Sequence, residues 1–231
     1  AIVALCLGGC QGLLGWYMVK SGLVDIPAVS HYRLAAHLSL AFFLGAFILW
    51  WILDLRTQPL DAPMSRWLSG LFLSLLAIQI VYGAFVAGTR AGYMYSSFPL
   101  LNGAVFPEGA WLDGFGPHNL LDNRELLNVI HRWLAVCLGV FGTVIALMHV
   151  KTKATSTARP TAAWFMLVCL IAQVGLGVLT VMFNVPVFLG AVHQITAFLL
   201  LSSALWLHHS HYRAPITRQP EQRHAESSSV T

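Results

Sequence analysis

Asn128-Val129-Ile130-His131-Arg132-Trp133 opens a long apolar run, and its histidine decides how the chain is read. His131 is an ionisable group about two turns into a hydrocarbon segment, where a polar side chain is costly and marks function. His193 stands about two turns into another apolar run near the chain end, and His37 does the same near the start. Three imidazoles in equivalent places suggest a membrane scaffold that holds them against haem iron.

The composition sets the frame for that reading. The 231 residues are 57% hydrophobic and 10% charged, against roughly 25% charged in a soluble domain. The chain is therefore expected to be an all-α, polytopic membrane protein. Its net charge of +4 is scattered through loops and tail, which is no footprint for nucleic acid. Cys6, Cys10, Cys137 and Cys169 all lie in apolar runs and read as small buried residues.

Six segments are long enough to cross about 30 Å of hydrocarbon: 1–19, 31–53, 67–89, 125–149, 161–183 and 187–209. The polar stretch 214–231 reads as a disordered tail. Arg56, Arg66, Lys151, Lys153, Arg159, Arg213, Arg218 and Arg223 fall on one side of the membrane, and Lys20, Arg33, Arg90, Arg124 and Arg132 on the other. The richer side is expected to be cytoplasmic, with the C-terminus there. The second, fourth and sixth segments then run inward, and His37, His131 and His193 share one depth near the outer leaflet. Segment 90–124 is the one long connection, and its Tyr93, Tyr95, Phe98, Phe106, Trp111 and Phe115 argue for a packed cap.

The chain repeats itself. Gln11 to Val19 aligns with Gln173 to Val181, and His37 to Leu44 with His193 to Leu200. Gln79 and Gly83 repeat the first pattern, so Gln-x-x-x-Gly occurs on the first, third and fifth segments and histidine on the second, fourth and sixth. Two such pairs make a four-helix bundle able to hold one bis-histidine haem. The expected organisation is one complete haem-binding bundle over 67–209 and, over 1–54, the second half of another, pseudo-symmetric bundle. A further helix pair is expected before Ala1.

Small residues follow each histidine on its own face: Ala135, Gly139 and Gly142 after His131, Ala41 and Gly45 after His37, Ala197 after His193. They leave room for a flat macrocycle or else serve ordinary close helix packing. Arg132 and Arg90 are candidates for haem propionates, with snorkelling to the interface as the plainer alternative. Gln11, Gln79 and Gln173 serve interhelical hydrogen bonding or a bond beside the haem. His208, His209 and His211 read as a solvated interfacial run rather than a metal site. Asp54 and Glu125 stand at helix ends, so no chain of acids crosses the hydrocarbon and a pump is disfavoured.

Gln11 to Val19, Tyr32 to Leu38, Gly88 to Gly92, His131-Arg132-Trp133 and His193-Gln194 together resemble the haem A synthase family, in its mitochondrial and proteobacterial form. The resemblance runs up to about Arg213. It implies eight spanning helices in two halves, with a haem b held by His131 and His193 in the second. It implies that the first half is where a ring methyl of the substrate haem O becomes the formyl group of haem A for terminal oxidases, with His37 on that side. The methyl would be hydroxylated, oxidised again to a geminal diol, and lose water to the aldehyde, with haem b passing electrons. A second histidine and an essential glutamate would belong to the preceding helix pair. The implied partners are membrane lipid, a haem O synthase (protohaem farnesyltransferase), an electron donor of unassigned identity and, as an open alternative, further copies in a homo-oligomer. The implied location is a bacterial inner (plasma) membrane in preference to a mitochondrial inner membrane. The competing reading is a membrane b-type cytochrome acting only in electron transfer, which would more naturally stack its haems at two depths.

Overall fold

A computed structural model describes residues 1–20, 29–59, 66–150, 158–211 and 213–215. Its six long helices are α1 (Ile2–Val19), α2 (His31–Leu55), α3 (Trp67–Gly88), α4 (Arg124–Val150), α5 (Ala158–Met182) and α6 (Val187–His209). All six are long and apolar enough to cross a membrane, and each matches an expected span to within a few residues. The protein is an all-helical, multi-pass membrane protein.

Helices α3 to α6 close into a ring in which α3 meets α4, α4 meets α5, α5 meets α6 and α6 returns to α3. The two histidine helices of the ring, α4 and α6, therefore stand at opposite corners, and the glutamine helices α3 and α5 at the other two. Helix α2 lies against both α3 and α6, and α1 packs on α2. No α1 side chain is buried, so its apolar surface faces outward, as hydrocarbon-facing helices do.

The ring is not packed evenly along its length. Its main core joins Phe72 and Leu76 from α3, Leu138 and Ile145 from α4, Met166 and Leu170 from α5, and Leu200 and Leu207 from α6. All of these lie in the half away from the 90–123 loop. The half nearer that loop holds the glutamines and histidines, beside smaller cores around Phe85 and Leu127 and around Leu126 and Val129.

The loop is structured, but not by most of its aromatics: Tyr93, Phe98, Phe106, Trp111 and Phe115 are 38–57% exposed, and Leu101, Ala110, Asn119 and Asn123 are the buried residues that hold it. It contains single-turn 3₁₀ helices at Ala91–Tyr93, Glu108–Ala110 and Gly116–Leu120. Asn119 is fully buried and bonds Leu112 and Gly116. Asn123 caps α4, its Oδ1 accepting from the Glu125 and Leu126 amides, while its own amide donates to Gly109. Helix α4 then grips the loop from one face. Asn128 donates to Ala91 O at 2.7 Å, Arg132 to Tyr95 O and Ser97 O, and Trp133 to Val105 O.

At the opposite end, Thr57–Pro59 after α2 pairs antiparallel with Arg213–Pro215 after α6. Asp54 accepts from His209 at 2.9 Å and from Arg213 at 3.2 Å across the same junction. Ala214 and Pro215, expected in the tail, are thus in a short ladder, and residues 216–231 lie outside the described residues.

Two further expectations are corrected here. The histidine run at the end of α6 is not solvated: His209 and His211 are each 1% exposed. His211 Nε2 meets His149 Nε2 at 3.0 Å, and Ser69 Oγ meets His208 Nδ1 at 2.9 Å. The α6 terminus packs against α3 and α4, whose Ser69 and His149 supply the polar partners that make burial tolerable. Among the described residues no group of three or more His, Cys, Asp or Glu is arranged for a metal ion. Of the cysteines only Cys169 is buried; Cys6, Cys10 and Cys137 lie on outward helix faces.

Candidate functional site

Each of the three histidines meets the helix before it in one repeated arrangement. His131 of α4 lies against α3, with Gln79 Nε2 at 3.0 Å from its Nδ1. His193 of α6 lies against α5, with Gln173 Nε2 at 3.2 Å from its Nε2. His37 of α2 lies against α1, with Gln11 Nε2 at 3.3 Å from its Nε2. One turn beyond each glutamine, on the same helix face, is a glycine. A Cβ at Gly83 would stand 3.1 Å from His131 Cε1, one at Gly177 3.1 Å from His193 Cε1, and one at Gly15 3.0 Å from His37 Cε1. Each imidazole thus rests its Cε1 edge on bare backbone, with the amide at its side.

This local geometry follows from the spacing. Residues four apart share a helix face, so Gln-x-x-x-Gly places a hydrogen-bonding amide and a gap one turn apart. The imidazole fills the gap. Each histidine lies about 10 Å along its helix from the same end, at 1.5 Å per residue. Within the ring, His131 and His193 are each only partly buried.

The other sequence candidates separate. Arg132 is 7% exposed, and its two terminal nitrogens donate at 2.5 Å to Ser97 O and Tyr95 O; these bonds tie the cap to α4. Arg90 is an exposed residue with φ 59°, and its carbonyl accepts from Arg124. The small residues after the histidines are used for close packing in two cases. A Cβ at Gly45 would strike Phe198 at 2.5 Å, and one at Gly142 would strike Phe72 at 2.7 Å. Space beside each ring comes from the preceding helix instead, from Gly15, Gly83 and Gly177. Sequence reasoning had noted these glycines without giving them a role; their shared offset from a glutamine was the available signal.

A haem needs strong axial donors, a gap for a flat ring and an apolar surround. The residues fit it. His131 and His193 come from opposite corners of a ring of helices, each seated on a glycine, Gly83 or Gly177, of the helix before it. His193 Nδ1 is buried with no hydrogen-bond partner, as is His37 Nδ1. A buried ring nitrogen without a partner is costly unless something takes its lone pair or its proton.

Fold and site together define a multi-pass helical membrane protein with a repeated histidine unit. The chain belongs to the COX15-CtaA family of cytochrome oxidase assembly proteins, whose family model matches residues 1–205. It is similar to proteins named heme A synthase: 37% identical over 215 residues to one from Wolbachia pipientis wMel, and 38% over 214 to one from Paramagnetospirillum magneticum. One from Nitrosospira multiformis is 39% identical over 209 residues. These matches cover 88% of this chain and 57–58% of those relatives, so the chain spans less than two thirds of their length.

Proposed function

We propose that this chain acts as a haem A synthase of a bacterial inner membrane, with its C-terminus in the cytoplasm. In this reading His131 and His193 would hold the iron of a haem b, and His37 would serve the side that receives haem O. A bound haem would supply one-electron redox chemistry. The chain itself does the rest. The main core fills one half of the ring, the 90–123 loop packs on α3 and α4 beside the other half, and the glycines give each imidazole a seat. The substrate change would be the four-electron oxidation of a ring methyl of haem O to the formyl group of haem A, which needs an oxidant and an oxygen atom supplied from outside the chain. The electron donor, the haem O supplier and the lipid surround act from outside the described residues.

The observation that carries the reading is the equivalence of the His131 and His193 units at opposite corners of one ring, with His37 as a third copy on α2. The names of the relatives favour a synthase over a b-type cytochrome confined to electron transfer.

The test is extraction and chromatography of haems from the purified full-length protein, with His131→Ala, His193→Ala and His37→Ala beside it. Haem B with haem O or A is expected. His131→Ala and His193→Ala should lose the haem b Soret band, while His37→Ala keeps it and stops haem A formation. Haem B alone in the parent protein, with no haem O bound and no haem A formed, would favour the electron carrier.

A further inference from the structure

The three glutamines have a common feature that hydrogen bonding between helices leaves unexplained. In each, the Nε2 points at the imidazole while the Oε1 is buried with no partner. A neutral imidazole has one lone pair and one N–H. Before iron binds, the nitrogen facing the amide can accept an amide hydrogen. Once iron takes the lone pair of the other nitrogen, the nitrogen facing the amide must carry the proton. It then needs an acceptor, and an unmet buried donor costs about 1–3 kcal/mol.

The glutamine holds that acceptor. A half-turn of the amide exchanges Nε2 for Oε1 with almost no change of shape. It gives the orphaned oxygen a hydrogen and the ring N–H a partner, and it moves Nε2 to where Oε1 stood. The Gln79 amide gives up His131 O, at 2.9 Å, and the Gln11 amide His37 O, at 3.1 Å, in doing so; both carbonyls lie inside helices that already use them. Glutamine can serve both states of the ring, which leucine or methionine of similar size cannot.

We propose that Gln79 and Gln173 are positioning residues that fix which nitrogen of His131 and His193 faces iron, and that Gln11 does the same for His37. The inference rests on the haem-ligand reading of those histidines. An imidazole whose N–H is accepted by oxygen is a stronger donor to iron, which favours the oxidised metal.

The test uses the full-length protein. Gln79→Met and Gln173→Met keep the length and remove the acceptor. They should weaken haem retention about tenfold to a hundredfold, raise the haem b midpoint potential, and change its low-temperature electron paramagnetic resonance spectrum. Gln79→Glu and Gln173→Glu keep an acceptor oxygen and should restore retention and return the potential to or below the original. A methionine variant with unchanged potential and spectrum overturns the proposal. So does a glutamate variant that behaves like methionine, since bulk or amide donation would then be what matters. If Gln79→Met fails to accumulate, the Gln173 pair makes the same comparison. His131→Ala separates the two levels: if it keeps the original haem spectrum, the ligand reading fails before the glutamine question arises.

Discussion

Replacing Gly83 with alanine sets two effects of known size against each other. Alanine favours a helix over glycine by about 1 kcal/mol, so the backbone of α3 gains. The added Cβ would stand 3.1 Å from His131 Cε1, so the ring must retreat by a few tenths of an ångström. Overpacking of this kind costs about 1–3 kcal/mol, and metal–ligand distances tolerate only about 0.2 Å. The helix gain offsets part of the clash in the apoprotein, whose stability in detergent should fall by about 0–2 kcal/mol. The ligand bond has no such offset. Haem retention, measured as Soret absorbance per protein and as the rate of haem transfer to a scavenging apoprotein, should fall about tenfold to a hundredfold. Gly177→Ala should act in the same way on His193. Gly175→Ala, two residues away on α5, has nothing within 4 Å of its Cβ and should raise stability while leaving haem untouched. Equal haem retention in Gly83→Ala, Gly177→Ala and Gly175→Ala would refute the view that these glycines seat the ligands.

Three further outcomes are expected. The Tyr32 hydroxyl at 2.7 Å, followed by His118 and His31, holds the Asp122 carboxyl below its ordinary range. Its contribution is present above the unfolded carboxyl pKa and lost as pH falls through the lower folded value. Asp122→Asn should therefore cost about 0–1 kcal/mol near neutrality, and the difference from the parent in thermal melts should vanish in acid. Burial, and then the charge of neighbouring His149, pushes His211 down to about 4. The unfolded chain then binds the proton more readily, so stability is complete above about pH 6.5 and drains away as pH falls toward 4. His211→Gln should flatten that acid limb, which is worth at most about 3 kcal/mol, in melts recorded from pH 7 to 4. Arg132→Met strips two half-buried carbonyls of their donor, at about 1–3 kcal/mol in all, and should expose the 90–123 cap to limited proteolysis.

The helices were legible because hydrocarbon demands long apolar runs with every backbone group bonded internally, and nothing else in 231 residues makes six of them. The depth of the histidines was legible for the same reason, since helix rise converts position into height. What escaped was lateral detail. That Gly45 and Gly142 serve Phe198 and Phe72 depends on which helix lies alongside, and sequence periodicity carries no neighbour list. The same gap hid the burial of His209 and His211: their polarity suggests water, but Asp54, Ser69 and His149 arrive from elsewhere in the chain. Arg132 looked like an anion site because guanidinium suits carboxylate; its terminal nitrogens instead grip loop carbonyls 35 and 37 residues earlier.

Helix α2 lies directly on α6, with Phe198 pressed into the notch at Gly45 and set edge-on to Phe42 at 5.5 Å. The helices bearing His37 and His193 therefore share a wall with no third helix between them. A tilt or rotation of either helix would press Phe198 against Gly45 and so meet resistance from the other.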